Sequence, residues 1–481
     1  MRAAQNITFA IHTLGCKVNT YESDVMAESL KAAGFSELSF ESKADVYIIN
    51  TCTVTNIADR KSRQMLRRAR KLNPEALIVA AGCYVDDAIK NDKLDSLIAD
   101  GVIDLAVSNK DKTAILKLIS EKLHGRSEKS KPNGQISDKN EPETELITQS
   151  ATANTDSIGS KESSAALKLP GEAEEAADIP APHYLTELDG HTRAFVKVQD
   201  GCNMYCSYCI IPYVRGELRN RTPEDVHEEA RELAANGVAE IVITGIHLSS
   251  MRDKLLDIIG AVESVEGIKR IRLGSLEPML ITEEFVSKLK AYKKLCPHFH
   301  LSLQSGNNDI LKAMNRHYTR EQYAHGCDIL KRNYEHPAVT TDIIVGFPGE
   351  TDEQFEDSLN FARDIGLYEA HVFKFSRRKG TPADRMPGQL TEAKKAERSS
   401  RLIALADSLS DEFRQYYIGK QVEFLSEELI ELNGVSYETG YTAEYVRCIK
   451  ASSVLHVNEI ICGKASRIVH ENVIDGALLL V

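Results

Sequence analysis

Three cysteines within eight residues, in "CNMYCSYC", set the first chemical expectation. Cys202, Cys206 and Cys209 are spaced so that their thiolates can wrap three corners of a cubane iron–sulfur cluster and leave the fourth iron open. The competing metal is zinc, which would want a fourth Cys or His close by. The following residues, "IIPYVRGELRNR", offer none.

A second set is dispersed. Cys16 follows "HTLG", Cys52 follows "YIINT" and Cys83 follows "IVAAG", each closing an apolar run and each about thirty residues from the next. In an open parallel sheet the strand C-terminal ends line one crevice, where three such thiols can meet. Gly15 and Gly82 would let the backbone approach closely, as a bulky inorganic ligand requires. The alternative is three independent buried thiols, which needs coincidence to act three times. The apolar run before Cys16 is short and interrupted by His12 and Thr13, so it does not read as a secretory signal.

These residues need elements to hold them. Up to residue 124, strand-like runs ("ITFAIHTL", "DVYIIN", "ALIVAAG", "VIDLAVS") alternate with helical stretches from Glu22 to Ala33 and Ala58 to Leu72, the rhythm of an open parallel α/β domain. Residues 125–183 hold no aromatic residue and are rich in Ser, Glu, Lys, Pro and Asn, which predicts a disordered linker. Only "GEAEEAA" within it could be a short helix. From 184 to 415 six more strand-like runs, "AFVKVQ", "EIVITG", "RIRLGS", "HFHLSL", "TTDIIVGF" and "AHVFKF", predict an incomplete six-unit (β/α) barrel with its site at the strand C-terminal ends. From 416 to 481 short β-type runs predict a small closed or half-open β-barrel.

The 481 residues, 42% hydrophobic and 27% charged, suit a multidomain globular chain. No apolar run approaches the ~18 residues of a spanning helix, and ten cysteines are too sparse for a disulfide scaffold, so a cytoplasmic, reducing location is expected. A net charge of -12 excludes whole-chain attraction to nucleic acid, leaving local basic patches. Cys296, Cys327, Cys448 and Cys462 read as core residues. His298 and His300, which alternate along one strand, read as packing rather than metal ligands.

Cys-x3-Cys-x2-Cys after the first barrel strand, with Tyr208 before the third cysteine, resembles the radical S-adenosylmethionine enzymes. The added three-cysteine N-terminal domain and C-terminal β-barrel are similar to the methylthiotransferases among them, over the whole chain apart from the linker. "TLGCKVN" is most similar to the branch that methylthiolates C2 of N6-threonylcarbamoyladenosine at position 37 of tRNA. The resemblance implies two 4Fe-4S clusters, one on Cys16, Cys52 and Cys83 that handles the incoming sulfur, the other on Cys202, Cys206 and Cys209. It also implies S-adenosylmethionine, a tRNA anticodon loop as partner, an electron donor such as flavodoxin or ferredoxin, an unidentified sulfur donor, and a C-terminal barrel of the RNA-binding TRAM type. The same machinery acting on prenylated adenosine or on a ribosomal-protein aspartate is the rival enzymatic reading. An RNA-binding protein with structural zinc is the non-enzymatic one.

The resemblance further places Thr244, Gly245 and His247 near the methionine amino group and Gln304 and Ser305 near the ribose, with Tyr208 and Glu277 as further cofactor contacts. For each of these a turn or cap role is equally open. Arg60, Arg63, Arg67 and Arg68 in "ADRKSRQMLRRARKLNP" form either a solvated helix face or a phosphate-binding one, and Arg215, Arg377 and Arg378 are further RNA candidates. A threonylcarbamoyl carboxylate should want a cationic partner, which the arginines near the barrel mouth could supply. The C-terminal stretch departs from the pattern, with five Lys/Arg against nine Asp/Glu.

Overall fold

The structure is a computed structural model that describes residues 7–91, 94–129, 177–178, 192–471 and 474–481. The N-terminal domain runs β1 (Thr8–Thr13), α1 (Lys17–Ala32), β2 (Ser36–Glu37), β3 (Val46–Thr51), α2 (Asn56–Leu72), β4 (Leu77–Gly82), α3 (Cys83–Lys90), α4 (Leu94–Ala99), β5 (Leu105–Val107) and α5 (Ile115–Lys129). All its strand pairs are parallel, in the order β2-β1-β3-β4-β5. The apolar runs are continuous because both sheet faces are covered. Val46 and Ile48 pack with Phe9, Met26 and Leu77, whereas Tyr47 and Ile49 pack with Leu66 and Ile78 on the other side. The chain turns from β1 to β2 on one side and to β3 on the other. The switch point therefore lies between β1 and β3, where an open sheet presents its ligand crevice.

The expected linker lies outside the described residues except for two pieces. One is the end of α5, which runs to Lys129, past the expected boundary at 124; the other is β6 (Ala177–Asp178), paired with β8 (Arg219–Asn220). Residues 171–176 of "GEAEEAA" and residues 184–191 of the expected barrel domain are likewise outside, while its last residue, Ala177, belongs to β6.

The central domain comprises β7 (Arg193–Asp200), α6 (Ile211–Arg215), β8, α7 (Pro223–Ala235), β9 (Glu240–Gly245), α8 (Asp253–Glu263), β10 (Arg270–Leu273), α9 (Glu283–Leu289), β11 (His298–His300), α10 (Asn308–Ala313), α11 (Arg320–Asn333), β12 (Ala338–Val345), α12 (Asp352–Ile365), β13 (Glu369–Lys374) and α13 (Glu392–Gln415). Six of these strands lie side by side and parallel as β7, β9, β10, β11, β12 and β13; single bridges such as Ile271 to Leu295 join its two halves. This is the expected incomplete barrel. Alternate residues, among them Val196, Ile243, Ile271, Leu301 and Ile343, face the outer helices. Their neighbours Lys197, Thr244, Arg272, His300 and Asp342 therefore face the barrel interior.

The C-terminal domain, β14 (Gln421–Leu432), β15 (Val435–Tyr441), β16 (Arg447–Ala451), β17 (Ile460–Val469) and β18 (Ala477–Leu480), closes into a five-stranded barrel. It seats against the first residues of the central strands. Arg193 Nη1 donates to the Tyr445 hydroxyl at 2.7 Å, Arg270 Nη1 to the Tyr441 carbonyl at 2.6 Å, and His298 stacks on Tyr445 at 5.2 Å. Arg272 donates to the Thr442 and Ala443 carbonyls at 2.6 Å each. The N-terminal end of the half-barrel is thus covered, and its strand C-terminal ends face the cysteines.

Candidate active site

The loop after β7 is held open by backbone geometry. Gly201 has φ +76°, and a Cβ there would come within 1.8 Å of the Glu217 carbonyl oxygen. Tyr205, at φ 46°, has its carbonyl oxygen fixed by Asn315 Nδ2 at 3.0 Å. The Met204 amide points at Cys202 Sγ (3.5 Å) and Arg316 Nη1 at Cys206 Sγ (3.2 Å). Burial pushes the Cys202 thiol up to about 11; burial and the neighbouring Cys206 push Cys209 up to about 12. A coordinating cation reverses that preference by favouring thiolate. The donor set suits a cluster with one open corner: three unbridged thiols, N–H donors aimed at sulfur and no fourth ligand in the loop.

The dispersed set converges as the sheet topology requires. Cys16 precedes α1, Cys52 follows β3 and Cys83 opens α3. A Cβ on Gly15 (φ +111°) would lie 2.9 Å from Cys52 Cβ, and one on Gly82 (φ +101°) 2.8 Å from the Thr51 carbonyl oxygen. Only glycine allows these loops to close so tightly. Burial, then Cys83 and Cys16 as neighbours, push the Cys52 thiol up to about 11, and Asn109 Nδ2 points at Cys83 Sγ (3.4 Å). Among the described residues, the one group of three or more His, Cys or carboxylate side chains with ligand atoms all within 4.8 Å of one another is His300, Asp342 and His371.

The two sets face one another. Cys83 packs against Ile210 and Val214, directly beyond Cys209. A buried ion network fixes this docking. Arg215 Nη1 bonds Glu22 Oε1 (2.9 Å) and Asp200 Oδ1 (3.0 Å), its Nη2 bonds Asn19 Oδ1 (2.7 Å), and Glu22 also binds Lys112 (2.5 Å) and Lys197 (2.9 Å). Arg378 makes a second tie, to Asp59 Oδ2 (2.7 Å) and Thr53 Oγ1 (2.6 Å). Both arginines were expected at an RNA surface. Their side chains are only 1% and 4% exposed, because the docking of two domains uses their charge. Arg377 remains accessible and pairs with Asp384 at 2.9 Å.

The expected cofactor contacts divide. Gln199 ties the barrel mouth together: its Nε2 donates to the Asp200 and Gly201 carbonyls (2.7 and 2.9 Å), while its Oε1 accepts from the His247 amide (2.6 Å). Gly245 is packed against it, with a hypothetical Cβ 2.9 Å from Gln199 Cβ. Thr244 is buried, and Tyr208 is half-buried beside Ile310, Met314 and Phe347. His247 is drawn below its ordinary value by burial, and its Nδ1 is buried without a partner. Gln304 has φ +65°, a strained conformation of the kind that clusters at functional sites, and bridges to β12. Ser305 differs: its hydroxyl meets Ser358 Oγ at 3.2 Å and accepts from the Asn307 amide at 3.2 Å, which leaves it turned toward α12. Glu277 ion-pairs with Arg316, so its carboxylate is joined to Cys206 through that arginine. Nothing in the spacing signals Arg316 or Gln199.

The half-barrel interior is polar. His300 Nδ1 lies 3.0 Å from Thr340 Oγ1; its Nε2 is buried, has no hydrogen-bond partner and lies 3.5 Å from Asp342 Oδ2. The His371 ring stacks on His300 at 5.8 Å. Lys17, directly after Cys16, opens α1 and is exposed. It was the alternation of His298 and His300 that pointed inward, and the sequence reading assigned it to packing. Cys296, Cys327 and Cys448 are buried as expected, but Cys462 is exposed beside Glu423 because β17 turns it to solvent.

Outside, α2 presents Arg60, Arg67 and Arg68 to solvent, Arg68 in contact with Glu41; Arg63 is half-buried over the Tyr84 ring at 5.9 Å. The preceding loop exposes Val54, the first turn of α2 exposes Ile57, and the local cysteine loop exposes Tyr205 at 52%, in edge contact with Tyr213. No helix among the described residues is long and apolar enough to cross a membrane.

Comparison with known proteins agrees with this geometry. Residues 196–362 match the radical SAM superfamily, and residues 8–103 match a family described as Uncharacterized protein family UPF0004. The threonylcarbamoyladenosine tRNA methylthiotransferase MtaB of Bacillus subtilis is 38% identical over 449 residues, 92% of this chain and 90% of that protein. The tRNA-2-methylthio-N(6)-dimethylallyladenosine synthase of Caldicellulosiruptor saccharolyticus is 33% identical over 430 residues, 88% of this chain and 82% of that protein. Among solved structures, the radical S-adenosylmethionine methyltransferase TsrM of Kitasatospora setae shares the fold, with a TM-score of 0.52 at 15% identity over 79% of this chain and 77% of that one.

Proposed function

Since the chain belongs to the radical S-adenosylmethionine tRNA methylthiotransferases, which use S-adenosylmethionine and 4Fe-4S clusters, we propose that its substrate is N6-threonylcarbamoyladenosine at position 37 of a tRNA anticodon loop, methylthiolated at C2. The adenine C2–H is not acidic, so no side-chain base can open it; the bound clusters and S-adenosylmethionine supply the radical and methyl chemistry that does. Cys202, Cys206 and Cys209 would hold one cluster and Cys16, Cys52 and Cys83 the other.

This chain's own residues orient the reaction. Arg316 donates to Cys206 Sγ and is anchored by Glu277. Gln199 fixes the cysteine loop to the loop after β9 through the His247 amide; Thr244 and Gly245 at the end of β9 and His247 beyond it would line the S-adenosylmethionine site with Gln304 and Tyr208. The Glu22–Arg215–Asp200 network sets the two cysteine sets against a shared crevice. On α2, Arg60, Arg67 and Arg68 offer phosphate contacts, with Arg63 beside them, and exposed Tyr205 and Ile57 offer surfaces on which loop bases can stack. A small electron-transfer protein such as flavodoxin or ferredoxin would supply the electrons.

The observation that carries the choice of substrate is the polar interior. His300, Asp342 and His371 suit a polar ureido-bearing side chain, whereas a prenyl chain would want apolar walls. Nucleoside mass spectrometry of tRNA from a deletion strain tests it. Loss of the methylthio-threonylcarbamoyl nucleoside is expected; its persistence, or loss of the prenylated counterpart instead, would reject the assignment.

A further inference from the structure

The barrel interior holds one cluster of ligand-type side chains apart from the two cysteine sets. His300, Asp342 and His371 stand on three adjacent parallel strands, β11, β12 and β13. Asp342 lies opposite His371, and His300 lies opposite Thr340, two residues before Asp342 on the same strand. All three side chains therefore face one side of the sheet. One ligand atom of each lies within 4.8 Å of the other two. Thr340 Oγ1 is 3.0 Å from His300 Nδ1 and 3.5 Å from His298 Nε2. With the hydroxyl donating to His298, Nδ1 of His300 carries its proton toward Thr340, and the lone pair is left on Nε2. That nitrogen is buried and faces Asp342 Oδ2 at 3.5 Å. The separation is long for a hydrogen bond, but it is close to the ~3.4 Å edge of a tetrahedral ligand set with bonds of ~2.1 Å. His371 completes the set from the edge strand, where it is exposed, so its ring can turn onto a shared ion and an ion can enter past it.

We infer that His300, Asp342 and His371 bind one divalent transition-metal cation, separate from both clusters. Two imidazoles and one carboxylate are donors for an ion of that class, whereas magnesium and calcium take oxygen ligands. Thr340 holds the His300 ring from behind, as groups beside metal-bound imidazoles commonly do. Three protein ligands leave a coordination position open toward the interior. On the threonylcarbamoyl reading, that position takes the carboxylate of the substrate's N6 side chain. The cation also answers a question of charge: Asp342 by itself would repel that carboxylate, and a bound divalent ion inverts the local sign. The arginines near the mouth cannot serve instead, since Arg215 and Arg378 are consumed by domain docking. The cation site stands on the geometry alone; only the anchoring of the carboxylate rests on the substrate reading.

The test uses the full-length protein with both clusters reconstituted, and zinc as the probe. Equilibrium dialysis with elemental analysis should find about one zinc per chain beside unchanged iron, and X-ray absorption at the zinc edge should show nitrogen and oxygen ligands at ~2.0–2.1 Å without sulfur at ~2.3 Å. His371→Gln, on the exposed edge strand, and the isosteric Asp342→Asn should lose that zinc and keep their iron. Thr340→Val should weaken zinc binding roughly 10–100-fold. No zinc in wild type, zinc held only by sulfur, or zinc undiminished in both His371→Gln and Asp342→Asn would overturn the inference. Fluorescence anisotropy then reads the anchor. Zinc should make wild type prefer an anticodon stem-loop carrying threonylcarbamoyladenosine over its carboxamide analogue by about tenfold, and should leave His371→Gln without that preference. Equal effects on acid and amide would overturn the anchoring. A wild-type preference for a prenylated loop would overturn the substrate reading and the anchoring together, while the zinc count judges the site itself.

Discussion

The two cysteine sets reach similar ends by opposite routes. Cys202, Cys206 and Cys209 sit in one loop whose shape is fixed by short-range contacts, such as Cys209 N to the Cys206 carbonyl at 2.9 Å. Cys16, Cys52 and Cys83 meet only because β1, β3 and β4 are adjacent and in register, with Thr51 opposite Gly82 and Thr13 opposite Asn50. A local site depends on a loop and its immediate supports. A dispersed site depends on the whole sheet and, through Glu22 and Arg215, on the neighbouring domain. The contrast predicts that perturbations of the fold should strike the dispersed set first, while loss of ligands should separate the two chemically.

Removing ligands gives the largest effect. With all of Cys202, Cys206 and Cys209 changed to Ala, iron should fall from about eight to about four per chain and reductive cleavage of S-adenosylmethionine should vanish. With Cys16, Cys52 and Cys83 changed instead, iron should fall equally, cleavage should persist and methylthiolation should stop. Iron analysis with 5′-deoxyadenosine and nucleoside assays reads all three quantities. A single pool of four irons lost only with the local set would break the comparison.

Next comes the seam between the domains. Glu22→Ala leaves Arg215, Lys112 and Lys197 as buried, poorly compensated cations, which should destabilise the docked protein by roughly 3–5 kcal/mol. Denaturant unfolding should show the transition splitting or shifting. The pH dependence carries a definite sign. Burial alone would raise the Glu22 and Asp200 carboxyls, but for Glu22 the cations Arg215, Lys112 and Lys197, and for Asp200 chiefly Lys197 and Arg215, outweigh it and leave Glu22 well below its ordinary range and Asp200 at about 2. Groups more acidic when folded contribute fully above their unfolded values and lose that contribution as pH falls through the folded ones. The seam should therefore hold at neutral pH and weaken below about pH 4, with the loss extending toward the folded values. Tm measured against pH, wild type beside Glu22→Ala, should converge at the acid end.

A smaller, more selective blow falls on the glycine at the dispersed site. Gly82→Ala combines φ +101° with a Cβ 2.8 Å from the Thr51 carbonyl oxygen, a strain of roughly 1–3 kcal/mol placed beside Cys83. Iron bound by the dispersed set should fall while cleavage of S-adenosylmethionine changes little. Equal loss at both sets would mean that they are not independently supported.

The same contrast explains what was legible beforehand. Both cysteine sets, the alternating β/α units and the terminal barrel could be read from the chain, because spacing and apolar periodicity are properties of neighbours in sequence. Arg215 and Arg378 could not. A basic residue beyond a cysteine motif looks the same whether it meets phosphate or a carboxylate two hundred residues away, and Glu22 and Asp59 supply the carboxylates only after two domains dock. The contact of the Ser305 hydroxyl with Ser358 on α12 was hidden for a related reason, since it joins two distant stretches of chain. His300 was legible as alternating but not as part of a polar cluster, because that depends on Thr340, Asp342 and His371 from other positions along β12 and β13.

The finest test concerns Arg316, which supports the local set from outside its motif. Its Nη1 lies 3.2 Å from Cys206 Sγ, and its other arm is held by Glu277. Hydrogen bonds and positive charge near cluster sulfur favour the more electron-rich, reduced state. Arg316→Gln should therefore shift the midpoint potential of the local cluster downward by roughly 50 mV, the one-electron equivalent of about 1 kcal/mol for one hydrogen bond. Glu277→Gln removes the carboxylate that offsets the arginine's charge, so its shift should have the opposite sign. EPR-monitored redox titration separates these from mere loosening, which would lower iron occupancy in both variants without opposed potentials. Arg316 meets the local set through Cys206, so the potential of the dispersed set should stay where it is in both.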